Sequence, residues 1–153
     1  MKKIKNFLSV IFFVLITSCG YTPLLQTGVK DFYINQIVIE GDRQINNFIV
    51  TDLKKHQKTK NENKKYDLKI TTTYEKKVIN KDKNGDPKNY NLKINLNLNA
   101  LKNGNIEINK IFEKNTSMSA QSKKISEREL EKKYKNDLSK SLIKDVIFFL
   151  RAK

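Results

Sequence analysis

The feature that most constrains the fold is the stretch from Tyr90 to Ala100, in which apolar and polar side chains alternate without interruption. Every second residue is apolar, and the residues between them are asparagine or lysine. Successive side chains of a β-strand point to opposite faces, so this period of two predicts a strand with one buried face. Such a strand needs neighbouring strands and a second layer over its apolar side.

A second alternating strand precedes it, from Tyr66 to Tyr74, and we expect its pairing to continue through Val78 and Ile79. Residues 80–89, NKDKNGDPKN, predict a long hairpin loop with an exposed tip.

The strand that follows Ala100 returns through Asn103-Gly104, a dipeptide typical of a two-residue type I′ turn. Residues 105–118 then carry Ile106, Ile108 and either Ile111 or Phe112 as the apolar positions. The change of phase predicts a β-bulge between Ile108 and Phe112.

A first strand and a helix come before these three strands. Residues 32–40, FYINQIVIE, predict a strand that stops at Gly41. Asp42 is a suitable N-cap for a helix from about Arg43 to His56. Its apolar positions follow a 3.6-residue period: Ile45, Phe48, Ile49 and Leu53.

The C-terminal segment predicts a long helix. Residues 126–129, SERE, match a capping box, with Ile125 and Leu130 placed as a hydrophobic staple. An apolar stripe continues along Leu130, Tyr134, Leu138, Leu142, Val146, Phe149 and Leu150. The last turn, 147–150, is apolar on more than one side; we expect burial at both faces, with contact to a partner as the alternative.

The order of elements is β-α-β-β-β-α. It predicts an α+β fold: a two-layer sandwich of a mostly antiparallel four-stranded sheet with two helices packed on one face. The other face, lined by asparagine and lysine, is left to water or to something polar. We assign residues 31–153 to this single domain.

The N-terminus has the layout of a secretory signal peptide. A leader with Lys2, Lys3 and Lys5 precedes the apolar run 7–16, and the chain's only cysteine, Cys19, follows closely. The run is about half of the roughly 20 residues that a membrane-spanning helix needs, so a transmembrane anchor is the weaker interpretation. We assign residues 1–18 to the signal peptide and 19–30 to a tether.

Residues 16–19, Ile-Thr-Ser-Cys, resemble the lipobox of bacterial lipoproteins, in which the cysteine is acylated on its thiol and, after cleavage, on its new amine. Two or more acyl chains hold a protein on a membrane stably. Gly20 stands where an aspartate favours retention in the inner membrane, so the outer membrane is the default. The alternative is an ordinary secreted protein whose cysteine falls near the cleavage site.

Net charge indicates anionic partners. Without the signal peptide, 28 lysines and arginines remain against 16 acidic residues, a formal charge of +12. In the periplasm the abundant anions are lipopolysaccharide, phospholipid headgroups and peptidoglycan, and we expect no nucleic-acid partner. Only three of the basic residues are arginine, so an AT-rich genome also accounts for part of the excess.

Five lysines are candidates for contact with lipopolysaccharide, and a simply solvated surface is the alternative for each. The predicted hairpin loop carries Lys81, Lys83 and Lys88, and the polar sheet face carries Lys69 and Lys93.

Catalysis is not expected. His56 is the only histidine, Cys19 is the only thiol, and there is no tight acidic cluster or glycine-rich phosphate loop. The sequence therefore predicts a protein that is not an enzyme and that has neither a metal site nor a cofactor.

The hexapeptide from Cys19 to Leu24, CGYTPL, resembles the start of the mature LPS-assembly lipoproteins (LptE, or rare lipoprotein B). The predicted order of elements also matches in outline. So does a C-terminal helix of LxxxLxxDVxxxL character: Leu138, Leu142, Asp145, Val146 and Leu150.

The resemblance implies an acylated Cys19 in the inner leaflet of the outer membrane, facing the periplasm, and a heterodimer with the LPS-assembly β-barrel. In that family the lipoprotein plugs the barrel, assists its assembly and assists delivery of lipopolysaccharide, which some members bind. A polar sheet face suits a polar barrel lumen. Two alternatives remain: a free-standing envelope lipoprotein that binds peptidoglycan or a transporter, and a periplasmic hydrolase, for which no catalytic constellation is present.

Overall fold

The computed structural model describes residues 32–58 and 65–153. The strands are β1 (Tyr33–Gly41), β2 (Lys65–Lys81), β3 (Pro87–Lys102) and β4 (Asn105–Ser119). Helix α1 (Arg43–Leu53) continues into a 3₁₀ turn (Lys54–Lys58), and helix α2 (Lys124–Ala152) follows β4.

The four strands form one sheet in the order β1-β2-β3-β4. β1 pairs with β2 in parallel, and the other two pairs are antiparallel hairpins. Helix α1 packs on β1 and on α2, and α2 packs on β3 and β4. The predicted α+β architecture, with its order β-α-β-β-β-α, is confirmed.

The core lies between the sheet and the two helices. The alternation in β3 separates the faces as predicted: the apolar residues from Leu92 to Ala100 are fully buried, and the residues between them form the outer face. β2 adds Leu68 and Ile70 from one side. The helices cover this face with Ile45, Ile49, Leu53, Leu138, Leu142, Ile143, Val146 and Leu150.

The turn between β3 and β4 has the predicted geometry. Asn103 has a φ of 52° and Gly104 a φ of 81°, and both central residues of a type I′ turn need positive φ. The predicted position of the bulge is wrong. Ala100 pairs with Ile108 and Leu101 pairs with Ile106, so Glu107 is the extra residue, next to the turn.

From Ile108 onward β4 stays in phase. Phe112 lies on the core side, where its ring meets that of Phe149 edge to face at 5.7 Å. Ile106 and Ile111 lie exposed.

Helix α1 begins as predicted. The Asp42 carboxylate accepts hydrogen bonds from the backbone N–H groups of Gln44 and Ile45, both at 3.0 Å. These bonds satisfy two of the helix's free donors. The α-helix ends at Leu53, earlier than predicted, and His56 lies in the 3₁₀ turn with its ring stacked on Phe32.

The predicted capping box of α2 is wrong. The helix begins at Lys124, its N-cap Lys123 makes no side-chain capping bond, and Ile125 is 73% exposed. Ser126 therefore lies inside the first turn. The expected burial of the last apolar turn is also wrong in part, because Phe148 is 75% exposed while Leu150 is buried.

Candidate functional site

Strands β2 and β3 meet in a short loop, residues 82–86, and pair further into the predicted loop than expected. Asp82 organises it. Its carboxylate accepts hydrogen bonds from the backbone N–H groups of Asn84 at 2.8 Å and Asp86 at 2.9 Å. Gly85 supplies the left-handed position with a φ of 90°. The hairpin tip is thus a defined turn.

Three of the five predicted lysines, Lys81, Lys83 and Lys88, lie together at this tip. They line one side of an open cleft of about 990 Å³, and the beginning of α2 forms the other side, where Lys124 joins them. The backbone N–H of Ala120 donates to the Lys88 carbonyl at 3.0 Å and fixes the segment before α2 against β3. We call this cleft, with its four lysines, the lysine cleft.

The lysine cleft carries unbalanced positive charge. All four side chains are exposed, and none forms an ion pair with another residue that the structure describes. Three acids line the cleft as well: Asp82 accepts hydrogen bonds from backbone N–H groups, Glu127 is paired with Lys76, and Asp86 is exposed, so the four lysines exceed the unpaired acids. The first N–H groups of α2 add a partial positive charge at the same edge. The cleft is therefore suited to a phosphate or carboxylate of a ligand.

A partly buried ion cluster holds the start of α2 on the sheet. The Lys76 ammonium contacts Glu127 Oε1 at 2.8 Å and Glu131 Oε2 at 2.9 Å. The Tyr74 hydroxyl donates to Glu131 Oε1 at 2.8 Å. One turn later, Lys135 contacts Asp42 at 3.1 Å. These contacts set the position of Lys124 relative to the hairpin.

The ion cluster shifts the pKa values of its members. The hydrogen bond from Lys76 lowers the pKa of Glu127. Burial opposes ionisation of Glu131, but bonds from Lys76 and Tyr74 outweigh it and lower its pKa as well. Burial and the bond to Glu131 raise the pKa of Tyr74 far above its usual range. At neutral pH the carboxylates are therefore ionised, and the phenol is the neutral donor.

The other two predicted lysines lie on the outer sheet face, not in the cleft. Lys93 is paired with Glu113 at 2.8 Å. Lys69 is exposed, next to β1, where it pairs with Val38 across the parallel ladder. The structure thus brings three of the candidates together and leaves these two apart.

Sequence reasoning missed Lys124 and Lys76. Lys124 precedes the helix start that the sequence predicts at Ser126. No pattern in the neighbouring residues therefore indicates that Lys124 lies at the cleft. Lys76 continues the core-facing alternation of β2 after Tyr74, and an inward lysine at that point is the one feature that indicated a buried acidic partner.

Cys19, the predicted signal peptide and the predicted tether lie outside the described residues. Within the described part, no helix is both long enough and apolar enough to cross a membrane. No group of three or more potential metal ligands occurs among the same residues.

Comparison of the sequence with models of protein families and with curated proteins finds no match. Solved structures do match. Rare lipoprotein B from Shewanella oneidensis is 12% identical, with 73% of this chain and 93% of that chain covered and a TM-score of 0.50. A minor lipoprotein from Acinetobacter baumannii is 12% identical, with 79% and 93% covered and a TM-score of 0.58. Lipoprotein B from Nitrosomonas europaea is 15% identical, with 79% and 87% covered and a TM-score of 0.53.

At these identities the comparison establishes the fold. The chain has the fold of rare lipoprotein B, and the match covers nearly the whole of each of those domains. This agrees with the family that the N-terminal hexapeptide resembles.

Proposed function

We propose that the chain is an outer-membrane lipoprotein of the rare lipoprotein B type, anchored through Cys19 and facing the periplasm. It partners and plugs the LPS-assembly β-barrel and assists barrel assembly and lipopolysaccharide delivery. It has no catalytic role of its own. The observation that carries the proposal is the coincidence of two independent features: the shared fold and the motif of residues 19–24.

The outer sheet face supports a role inside a polar barrel. Its central rows are uncharged or internally paired: Thr71 lies opposite Asn97 and Thr73 opposite Asn95. Lys93 is neutralised by Glu113. A face whose central rows are polar and nearly neutral can contact a hydrated lumen and leaves few charges unpaired.

The lysine cleft supports contact with lipopolysaccharide. Lipopolysaccharide carries phosphate groups, and lysine ammonium groups bind phosphate as point charges without a fixed geometry. The lysines of the cleft form no ion pair with any residue that the structure describes, whereas Lys93 on the sheet face is paired with Glu113. The cleft, rather than the sheet face, is therefore the place where we expect a direct contact.

Co-purification tests the partnership. A C-terminally tagged chain, extracted from native membranes in mild detergent, should bring down a large heat-modifiable barrel protein. Depletion of the chain should lower surface lipopolysaccharide. If the chain is a free-standing lipoprotein, it will purify without a barrel and depletion will leave surface lipopolysaccharide unchanged, and either result alone would sink the proposal.

Cys19→Ser tests the anchor. The wild-type chain should carry the mass of acyl chains on Cys19 and partition into detergent, whereas the variant should be a soluble or uncleaved protein with the same fold. If the cleaved variant stays on the membrane, the barrel and not the lipid holds it there.

Charge removal tests the cleft. Replacing Lys81, Lys83 and Lys88 by alanine should weaken binding of purified lipopolysaccharide at least about tenfold. The matched control replaces three exposed lysines elsewhere, Lys110, Lys132 and Lys133, and should retain binding. Equal loss in both triple variants would show that net charge alone governs binding.

A further inference from the structure

We propose that the end of the domain where the chain enters β1 is a docking surface for the anionic headgroups of the anchoring membrane, with Phe148 at the membrane interface. The proposal rests on the anchoring at Cys19 that the proposed function includes. It adds which surface of the domain meets the lipid.

The chain length before β1 keeps this end near the membrane. Phe32 is the thirteenth residue after Cys19, and an extended chain of that length spans at most about 45 Å. The Phe32 ring stacks on His56 with centroids 5.3 Å apart, so the 3₁₀ turn lies where the chain enters the domain. The 3₁₀ turn and the residues beside His56 are therefore held within reach of the bilayer.

A groove of about 270 Å³ lies beside His56, between the 3₁₀ turn and the last turns of α2. Its apolar side is Ile143 and Ile147, and its charged rim includes Lys140 and Lys144. Both lysines are exposed and form no ion pair within the described ranges. The rim thus offers free ammonium groups over an apolar floor.

Two of the acids near the groove are already paired with other lysines. Asp52 is paired with Lys55, and Asp145 is paired with Lys114 at 2.7 Å. Asp137 is exposed one turn before Lys140.

Phe148 continues the stripe of Lys140 and Lys144 along α2. The three residues follow at intervals of four, which places them on one side of a helix. Phe148 is 75% exposed. A ring next to lysines fits the boundary between headgroups and acyl chains, where aromatic side chains are favoured and lysines meet anionic lipids.

The lysine cleft lies at the opposite end of the sheet. β1 runs parallel to β2 with Tyr33 opposite Lys65, and β2 then extends to Lys81. At about 3.3 Å per residue the two ends of β2 are roughly 50 Å apart. Docking the anchored end on the membrane therefore does not use the lysine cleft, which stays free for another anion.

The test uses the single cysteine. A chain that begins at residue 19 and is produced without the signal peptide keeps the free Cys19 thiol, which can be coupled to a maleimide lipid. The sequence has no tryptophan, so Phe148→Trp provides one fluorophore at the proposed surface. Ile125→Trp is the matched control, because Ile125 is 73% exposed on the same helix and about 35 Å away along it.

On vesicles of phosphatidylethanolamine and phosphatidylglycerol, we expect the Phe148→Trp emission to shift to shorter wavelength and to resist quenching by acrylamide. The Ile125→Trp emission should stay as in solution. Equal protection of both positions, protection of Ile125→Trp alone, or no protection of Phe148→Trp would each overturn the proposal.

Charge removal completes the test on the uncoupled chain. Each lysine near an anionic surface contributes about fivefold to partitioning, so Lys140→Gln with Lys144→Gln should weaken vesicle binding about 30-fold. Lys132→Gln with Lys133→Gln removes the same charge nearer the start of α2 and should change binding much less. Equal effects of the two pairs would overturn the proposal. Absence of acyl chains on Cys19 in cells would instead contradict the proposed function and leave these vesicle results standing.

Discussion

Lys76→Met removes the cation that joins β2 to the start of α2. The Lys76 ammonium contacts Glu127 and Glu131 and lies 4.1 Å from the centroid of the Tyr90 ring. Methionine keeps the length and the apolar contacts of the side chain. The substitution therefore removes the positive charge with little change in shape, and Glu127 and Glu131 lose the Lys76 ammonium.

The expected loss in free energy of unfolding lies between the values typical of exposed ion pairs and those typical of buried ion pairs. Exposed pairs contribute about 0–1 kcal/mol, and removing one partner of a buried pair costs about 3–5 kcal/mol. The side chains of Lys76, Glu127 and Glu131 are 20–24% exposed. We therefore expect the free energy of unfolding to fall by about 2–3 kcal/mol at pH 7, with a midpoint lower by about 10 °C for a domain of this size.

The pH dependence identifies the cause. The folded pKa values of Glu127 and Glu131 lie below the ordinary 4.5. Their contribution is complete above pH 4.5 and is lost as the pH falls through the folded values. As the pH falls below 4.5, the difference in free energy of unfolding between wild type and Lys76→Met should become smaller, because the carboxylates become neutral in both proteins.

Urea denaturation at pH 7 and at acidic pH, in a Cys19→Ser background, measures both effects. Lys77→Met is the matched control: Lys77 follows directly in β2, but it is 67% exposed and pairs with Glu75 at the surface. Its cost should stay below about 0.5 kcal/mol. If Lys76→Met costs no more than Lys77→Met, or if its cost does not change with pH, the ion cluster does not stabilise α2 as argued.

Three further substitutions test the packing by urea denaturation. Gly41→Ala should cost at least about 3 kcal/mol, because Gly41 has a φ of 115° and a Cβ there would lie 2.0 Å from the Thr72 carbonyl oxygen. Gly85→Ala, with a φ of 90° and no atom within 4 Å, is its control and should cost only about 1–2 kcal/mol of backbone strain; equal costs would show that the close approach is unimportant. Leu96→Ala should cost about 3 kcal/mol, since the side chain is fully buried; a cost under about 1 kcal/mol would place it outside the core. Asp42→Ala removes both the cap of α1 and the ion-pair partner of Lys135, so it should cost at least about 1–2 kcal/mol, and an unchanged midpoint would contradict these roles.

Much of the fold could be predicted because its signals are local. The alternation in β3 depends on the pleat of a single strand, and the inner and outer faces came out as predicted. Asn103 and Gly104 specify their turn through their own φ angles. The Asp42 cap involves residues two and three positions away.

The errors arose where a local pattern competed with distant contacts. Residues 126–129 have the composition of a capping box, with Ser126 as cap and Glu129 as its partner, but α2 begins earlier, at Lys124. Glu127 in that first turn is bound by Lys76, which is 51 residues away in the chain. The predicted position of the bulge is wrong because the sequence pattern offers Ile106 and Ile111 as core positions, whereas the pairing with β3 leaves both exposed.

For the candidate site, too, some features follow from local sequence patterns and others only from contacts between distant segments. By itself the sequence determined the strand faces, both helical stripes and the presence of lysines in the β2–β3 hairpin, because each depends on neighbours within one turn or one pleat. Only the tertiary structure decided that Lys124 joins Lys81, Lys83 and Lys88, and that Phe148 stands exposed at the other end of α2. Those relations depend on the order of strands in the sheet and on where α2 crosses it, and no spacing along the chain encodes either.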